Sequence, residues 1–414
     1  MREMKDSGIS WVGEIPTNWT IGRIGGLYSL RNQKVSDKDY EPLSVTMKGV
    51  LPQLETAAKT NDGDNRKLVR KGDFAINSRS DRRGSCGIAD QDGSVSLINT
   101  ILKPRNQMNA RYYNWLFHTP MFADEFYKWG HGIVDDLWST NWEEMKKIQI
   151  PVPSCAEQQR IAEFLDRECG KIDGLKADIQ VQIDTLEQYK RSVITEAVTH
   201  GLNPSAPMKD SGAGWMPLIP LHWKADKLKF HLRQRGIKNQ IDKQVLSLYR
   251  EYGIVPKDSR DDNHNVTSED VSDYRYVRVG DFVVNKMKAW QGSVAVSNYE
   301  GIVSPAYFVY EFSDDLINKR YFHYLMRNKT YATEFRRLSG GIREGQWDLP
   351  SEALNNTIIL LPPLDEQQEI ADYLDNKCAE IEQIIADKKT QIETLDGYKK
   401  SLIYEYVKGK KEMD

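Results

Sequence analysis

The sequence predicts an α+β protein: two pseudo-symmetric mixed α/β domains separated by two long antiparallel coiled-coil helices. Three observations lead to this prediction. An internal repeat runs through all 414 residues, each half contains one long helical pattern, and short alternating apolar stretches indicate strands. The predicted order is a domain over 1–152, a helix over 153–203, a second domain over 204–361 and a second helix over 362–414.

The internal repeat joins four pairs of segments in the same order. "MKDSGISWVGEIPTNW" at 4–19 matches "MKDSGAGWMPLIPLHW" at 208–223. Three further pairs follow at offsets of 208 or 209 residues: 69–77 with 277–285, 112–126 with 321–335, and 157–173 with 366–382. A constant order at a nearly constant offset indicates the duplication of a unit of about 205 residues.

Both helical segments carry apolar residues at alternating steps of four and three, which is typical of a coiled-coil seam. The predicted seam is Ile161, Leu165, Glu168, Ile172, Leu175, Ile179, Gln182, Leu186, Tyr189 and Val193, and then Ile370, Leu374, Lys377, Ile381, Ile384, Lys388, Gln391, Leu395, Tyr398 and Leu402. Two equivalent helices that pair within one chain, related by an approximate two-fold axis, would run antiparallel. The alternatives are homodimerisation through one helix and packing of each helix on its own domain.

The two globular halves share a plan but differ in their loops. The predicted strands are 72–78, 94–103, 280–286 and 301–312, and the predicted amphipathic helices are 110–129 and 319–338. The segments between these anchors diverge, namely 43–68 from 246–271 and 78–93 from 286–301. A shared scaffold with different loops is typical of a pair of binding modules.

The sequence contains no motif of a known enzyme class. A phosphate-binding loop, a nucleophile elbow, a zinc-protease helix and the kinase signatures are all absent. The seven histidines show no metal-ligand spacing, and the four cysteines form no CxxC pair. We therefore predict no metal and no cofactor in this chain. With no apolar run near 20 residues and no apolar core of a signal peptide at the N-terminus, we expect no membrane contact and a cytoplasmic location.

The charge is distributed unevenly along the chain. The net charge is −3, and the segments 154–203 and 364–409 carry −3 and −5, so the remaining residues carry +5. Basic residues recur at equivalent but non-identical loops of the two halves. Arginine, lysine and glutamine can read base edges in a major groove, and lysine and arginine bind phosphate. The globular halves are therefore predicted to face a polyanion.

Three pairs of segments form a distinctive set: the two opening segments, "KGDFAINS" with "GDFVVNKMKAWQGSVAVSNYEGIVSPAY", and "IPVPSCAEQQRIAEFLD" with "LLPPLDEQQEIADYLD" ahead of the long helices. In these segments the chain resembles the DNA specificity subunit of type I restriction-modification systems. It implies two target recognition domains that read a bipartite, asymmetric double-stranded DNA sequence across a helical spacer. It also implies a non-catalytic chain that docks two modification subunits, which use S-adenosylmethionine, and restriction subunits, which use ATP and Mg²⁺.

The candidate DNA contacts lie in the divergent loops. They are Lys48, Arg66, Lys67, Arg79, Arg82 and Arg83 in the first half, and Tyr249, Arg250, Lys286, Lys288, Trp290, Gln291 and Arg343 in the second. Two other classes of function stay open: a protein-assembly scaffold whose repeated domains bind partner proteins, and an unrecognised enzyme.

Overall fold

The structure is a computed structural model of the chain. It describes residues 2–53, 63–79, 82–105, 108–133, 138–250, 252–259, 267–268, 270–341 and 347–412. The chain divides into two compact units: the first comprises 1–179 and 389–414, and the second comprises 180–388. Each unit contains one globular part and one half of each long helix, so the predicted helical segments 153–203 and 362–414 are shared between the units.

The two units contain equivalent strands. Those of the first unit are β1 (Met4–Asp6), β2 (Glu14–Pro16), β3 (Thr20–Arg23), β4 (Tyr28–Arg31), β5 (Lys34–Val35), β6 (Leu43–Thr46), β7 (Gly49–Pro52), β8 (Arg66–Val69), β9 (Phe74–Asn77), β10 (Cys86–Ile88), β11 (Gly93–Val95), β12 (Asn99–Pro104) and β13 (Gln149–Val152). Those of the second unit are β14 (Met208–Asp210), β15 (Leu218–Pro220), β16 (Lys224–Lys227), β17 (Leu232–Arg235), β18 (Leu246–Tyr249), β19 (Gly253–Pro256), β20 (Arg275–Val277), β21 (Phe282–Asn285), β22 (Val294–Val296), β23 (Gly301–Val303), β24 (Tyr307–Phe312) and β25 (Ile358–Leu361).

The helices repeat in the same way. They are α1 (Ile24–Leu27), α2 (Ala110–Phe117), α3 (Pro120–Lys128), α4 (Trp142–Met145), α5 (Cys155–His200), α6 (Lys319–Arg327), α7 (Lys329–Leu338), α8 (Ser351–Asn355) and α9 (Leu364–Val407). The predicted α+β class with two long helices is confirmed.

A central antiparallel sheet separates two apolar cores in each unit. Its strand order is β10–β9–β12–β4 in the first unit and β22–β21–β24–β17 in the second. Because successive side chains on a strand point to opposite faces, Phe74 and Ile76 pack against Phe117 on the helical side, whereas Ala75 joins Val50 of β7 on the other side. The hairpin β6–β7 is thus fixed on the sheet face away from the long helices.

Two predicted strands are each two strands in the structure. The segment 94–103 divides into β11 and β12, because the backbone turns where the N–H of Asn99 donates to the carbonyl oxygen of Ser96 (3.0 Å). The segment 301–312 divides into β23 and β24 around Pro305, which has no N–H to offer a ladder.

The two predicted amphipathic helices are also divided. In the first, Pro120 begins a new helix as its first residue, and the Thr119 hydroxyl accepts from the N–H of Phe122 (3.3 Å) as an N-cap. In the second, Asn328 separates α6 from α7, and its side chain caps α7. The apolar pattern continues through both breaks, so the pattern alone did not predict them.

The opening repeat is tied to the start of each long helix. The indole Nε1 of Trp19 donates to Oε2 of Glu157 (2.9 Å), and that of Trp223 donates to Oε1 of Glu366 (3.0 Å). Both tryptophans are fully buried. The conspicuous "GEIPTNW" and "PLIPLHW" segments therefore have a structural role in each unit.

The glutamines of the "EQQ" motif join the same helix starts to the globular parts. The carbonyl oxygen Oε1 of Gln158 accepts from the backbone N–H of Asn109, and Oε1 of Gln367 accepts from that of Asn318, both at 2.8 Å. Asn109 and Asn318 are the N-caps of α2 and α6. The motif thus positions α2 and α6 on the long helices.

The aspartates of the "LD" pairs complete these contacts. Asp166 accepts from Arg111 and from Nε1 of Trp115, both at 2.8 Å. In the second unit Asp375 accepts from Arg320 and from the hydroxyl of Tyr324 (2.8 Å). Equivalent residues therefore make equivalent contacts in the two units.

Four of the ten predicted seam positions in each helix are wrong by one residue. Leu175 and Tyr189 are 53% and 49% exposed, whereas Ile183 is 2% exposed. In α9, Ile384 is 43% exposed and its neighbour Ile385 only 8%. From Leu165 the helix buries positions spaced by four and then three, and not by three and then four.

Lysines occupy three of the seam positions that the apolar pattern missed, namely 176, 190 and 399. In the first unit Lys176 forms an ion pair with Asp396, and Lys399 forms one with Asp173 (2.7 Å). Because the residue numbers rise on α5 as they fall on α9, the paired halves run antiparallel, as predicted.

The second unit repeats this arrangement. Lys190 forms an ion pair with Glu382, and Nζ of Lys388 donates to the side-chain oxygen of Gln182. A charged residue in a seam fixes the register of paired helices, because a shifted register leaves the charge without its partner. The lysines therefore define which residues of α5 and α9 face each other within each unit.

Candidate nucleic-acid interface

The loop that joins the edge strand of each sheet, β10 or β22, to the neighbouring strand β9 or β21 has the same frame in both units. The β9–β10 loop (78–85) and the β21–β22 loop (286–293) are equal in length. Each follows an asparagine whose Oδ1 accepts from the backbone N–H two residues later: Asn77 at 3.0 Å and Asn285 at 3.1 Å. The last residue but one of each loop is a glycine with positive φ, Gly84 at 73° and Gly292 at 87°. The scaffold is therefore common, and the residues between these fixed points differ.

A second segment packs against the start of each loop. In the first unit the N–H of Thr140 donates to the carbonyl oxygen of Ser78 (2.9 Å). In the second unit the N–H of Leu349 donates to that of Lys286 (2.9 Å). The segments that follow α3 and α7 thus meet the β9–β10 and β21–β22 loops at equivalent points.

The divergent hairpins provide a third element. In the first unit Gly87 of β10 lies against the β6–β7 turn, where an added Cβ would be 2.6 Å from Cα of Gly49. In the second unit Nε of Arg250, at the end of β18, donates to the carbonyl oxygen of Gln291 (2.7 Å). Three segments therefore lie next to one another in each unit. In the first unit, two of them contain predicted contact residues: the β6–β7 turn and the β9–β10 loop.

Several predicted residues of the first unit are exposed at this position. Lys48 is exposed in the β6–β7 turn, and Arg79 and Arg82 are exposed in the β9–β10 loop. Arg83 is also exposed there, but its guanidinium pairs with Asp124 at 3.2 Å.

Arg66 and Lys67 lie elsewhere than predicted. Arg66 is buried, and its guanidinium donates to the hydroxyl (2.9 Å) and the carbonyl oxygen (3.0 Å) of Ser94. Nζ of Lys67 donates to the carbonyl oxygen of Asn99 (2.8 Å). Burial lowers the pKa of both side chains. Because Arg66 is held by β11 and Lys67 by β12, these residues fix β8 to its neighbours and are not placed to meet a ligand.

In the second unit the predicted residues are placed in different ways. Lys288 and Arg250 are exposed, and Gln291 and Tyr249 are partly buried. Lys286 forms an ion pair with Asp348 (3.0 Å). Trp290 is partly buried, and Arg343 lies outside the described residues.

His323 fixes β22, which follows the β21–β22 loop, to α6. Its Nδ1 accepts from the backbone N–H of Val296 (3.3 Å), which requires that Nδ1 carry no proton. Burial, assisted by the positive charge of Arg327, lowers the pKa of His323 to about 4. Sequence reasoning missed this residue, because neither spacing nor charge distinguishes it from an ordinary surface histidine.

This histidine predicts a pH-dependent stability. Because its pKa is lower in the folded chain than in the unfolded chain, the unfolded chain binds more protons, and stability falls as the pH falls from about 6.5 to about 4. We expect a loss on the order of 3 kcal/mol from this group. His323→Asn, which installs the residue found at the equivalent position 114, should lose less stability over this range, as measured by urea unfolding at several pH values. The matched control is His200→Asn, at a half-exposed histidine. Equal pH profiles for wild type and His323→Asn would contradict the assignment.

Across the described ranges, acidic, histidine and cysteine side chains form no cluster of three or more that could hold a metal ion. No described helix is both long enough and apolar enough to cross a membrane. The feature common to both units is instead a set of convergent loops that present cationic and aromatic side chains on one scaffold.

Such a duplicated scaffold with two different sets of cationic loops defines a class of protein, one that recognises an extended polyanion through two non-identical modules. The chain belongs to the type I restriction modification DNA specificity domain family, whose model matches residues 16–184 and 237–394.

One relative is similar along nearly the whole chain, and a second is similar over 37% of it. The specificity subunit of the type I restriction enzyme MjaVIII of Methanocaldococcus jannaschii is 24% identical over 430 aligned residues, which cover 96% of this chain and 93% of that protein. The EcoKI specificity subunit of Escherichia coli K12 is 25% identical over 154 residues, 37% of this chain and 30% of that one.

Solved structures share the fold. A chain from a study of complex assembly and conformational transition of the type I R-M system matches with a TM-score of 0.69 at 12% identity, covering 95% of this chain and 99% of its own length. The HsdS subunit from Thermoanaerobacter tengcongensis matches with a TM-score of 0.51 at 14% identity, covering 95% and 98%.

Proposed function

We propose that this chain is the specificity subunit of a type I restriction-modification complex and reads a bipartite, asymmetric sequence in double-stranded DNA. The observation that carries the proposal is the pair of equivalent loop sets with different residues. Two equal frames with identical loops would read two identical half-sites, whereas different loops read two different ones. Membership of the DNA specificity domain family indicates that this polyanion is DNA.

The catalytic work belongs to partner subunits in this proposal. Modification subunits, two in number, bind S-adenosylmethionine and methylate adenine, and restriction subunits use ATP and Mg²⁺. This chain contributes sequence recognition, holds no cofactor of its own and acts in the cytoplasm. The long helices set the length of DNA left unread between the half-sites.

The test is methyl transfer from labelled S-adenosylmethionine to a library of random duplex DNA. The chain with its modification subunits should methylate adenine within one two-part motif, whereas the chain alone should methylate nothing. Methylation by the chain alone would identify an enzyme. Methylation by the complex without any sequence preference would favour the assembly scaffold.

A further inference from the structure

A stack of cation and aromatic rings lies at the base of the β9–β10 loop. The guanidinium carbon of Arg83 is 3.8 Å from the ring centroid of Tyr127 on α3. The Tyr127 ring is in turn 5.6 Å from that of Trp138. The guanidinium also pairs with Asp124 of α3 at 3.2 Å. Arg83 thus has its face against a ring and its charge against a carboxylate, although it lies in a loop that presents other arginines.

The second unit has a stack at the equivalent place. The guanidinium carbon of Arg336 on α7 is 5.8 Å from the ring centroids of both Trp290 and Trp347. The two indole rings are 5.5 Å apart. Nε1 of Trp290 donates to the carbonyl oxygen of Met287 within the same loop (3.1 Å).

The cation and the aromatic ring exchange places between the two stacks. Tyr127 and Arg336 are equivalent in the repeat, as are Trp138 and Trp347, each at an offset of 209. In the first unit the loop contributes the cation and the helix contributes the ring. In the second unit the helix contributes the cation and the loop contributes the ring. Residues that read different bases are not expected to make the same kind of cation–ring contact in both units. Residues that hold two different loops on one scaffold are expected to make it.

We infer that Arg83 and Trp290, which the sequence placed among the DNA contacts, are positioning residues that hold the β9–β10 and β21–β22 loops on α3 and α7 in the conformation that reads DNA. This inference rests on the proposed function. A guanidinium that stacks on a ring and pairs with a carboxylate has to give up or share these contacts before it can bind a phosphate. Contact with DNA in the first unit then belongs to neighbours such as the exposed Arg79.

The salt dependence of binding separates positioning from contact. Each phosphate contact that is removed makes the slope of log affinity against log salt concentration shallower by about 1. We therefore expect Arg83→Ala, in the full chain with its modification subunits, to lower affinity for the cognate site about 10- to 100-fold. Its affinity for random DNA and its salt slope should equal those of wild type. Arg79→Ala is the contrasting variant, with a shallower slope.

Variants of the ring provide the matched control. Tyr127→Leu should reproduce the loss of cognate affinity without touching DNA, and Tyr127→Phe, which keeps the ring, should restore it. Amide hydrogen exchange in the 78–85 loop should rise in Arg83→Ala and Tyr127→Leu at an unchanged melting temperature. Trp290→Leu should act in the same way on the 286–293 loop.

Two outcomes would overturn the inference. One is an equal loss on cognate and random DNA with a shallower slope for Arg83→Ala, which would make Arg83 a phosphate contact. The other is unchanged cognate affinity in Tyr127→Leu. A wild-type complex that prefers no sequence would refute the proposed function instead, and the exchange measurement, which needs no DNA, would still decide whether the stack holds the loop.

Discussion

A chain in which residues 208–361 replace residues 4–152 is expected to recognise a DNA target made of two copies of one half-site. The graft places the globular part of the second unit on the first half of α5. The helix start needs only equivalent partners: Trp223 replaces Trp19 opposite Glu157, and Asn318 replaces Asn109 opposite Gln158. The graft is therefore expected to fold. It replaces all the loops of the first unit that contain predicted contact residues.

The expected effect on recognition is large. One mismatched base pair in a specific site costs about 1–3 kcal/mol, so replacing a whole half-site should abolish the preference for the original target. The new target is found by selecting bound sequences from random DNA or by sequencing methylated adenine motifs. The reciprocal graft, residues 4–152 in place of 208–361, is the matched control and should give two copies of the other half-site. A graft that folds and keeps the original target would refute recognition by the globular parts.

Lengthening both long helices by one heptad should leave the half-sites unchanged and widen the unread gap. We would copy 183–189 after Gln182 in α5 and 381–387 after Asp387 in α9. Seven residues preserve the seam, and the contact between Gln182 and Lys388 stays on one side of both insertions. Each helix becomes about 10 Å longer at 1.5 Å per residue. Since base pairs are spaced about 3.4 Å apart, the gap should grow by about three base pairs.

The control adds the same seven residues after Leu202, in the connection between α5 and β14. That insertion lengthens the chain equally but leaves the paired helices unchanged, so the gap should keep its wild-type length. Both variants are read from the spacing of the methylated motif. A gap that stays constant when both helices are lengthened would exclude the helices as the spacer, even if the half-sites are still read.

The sequence predicted the parts of this protein that depend on local pattern and on repetition. The duplication, the α+β class and the two long helices follow from spacing and offset alone. Tyr127 and Arg336 could be matched in advance as equivalent positions, because the repeat is nearly free of insertions between α2 and the long helix. The exposure of Arg79, Arg82 and Lys288 was likewise predictable, since a polar loop between two buried strands lies outside the sheet.

The tertiary structure decided the phase of the seam and the role of individual cations. A lysine such as Lys176 or Lys190 looks like a surface residue until the facing helix supplies Asp396 or Glu382, so the pattern favoured the exposed Leu175 and Tyr189 instead. Arg66 cannot be told from Arg79 in the sequence, and only the pairing of β8 with β11 places Ser94 against Arg66. Periodicity measures one chain segment at a time, whereas burial and ion pairing depend on which distant segment lies opposite. For that reason the sequence by itself determined the plan of this protein, and the contacts between remote residues determined which side chains are left to meet a ligand.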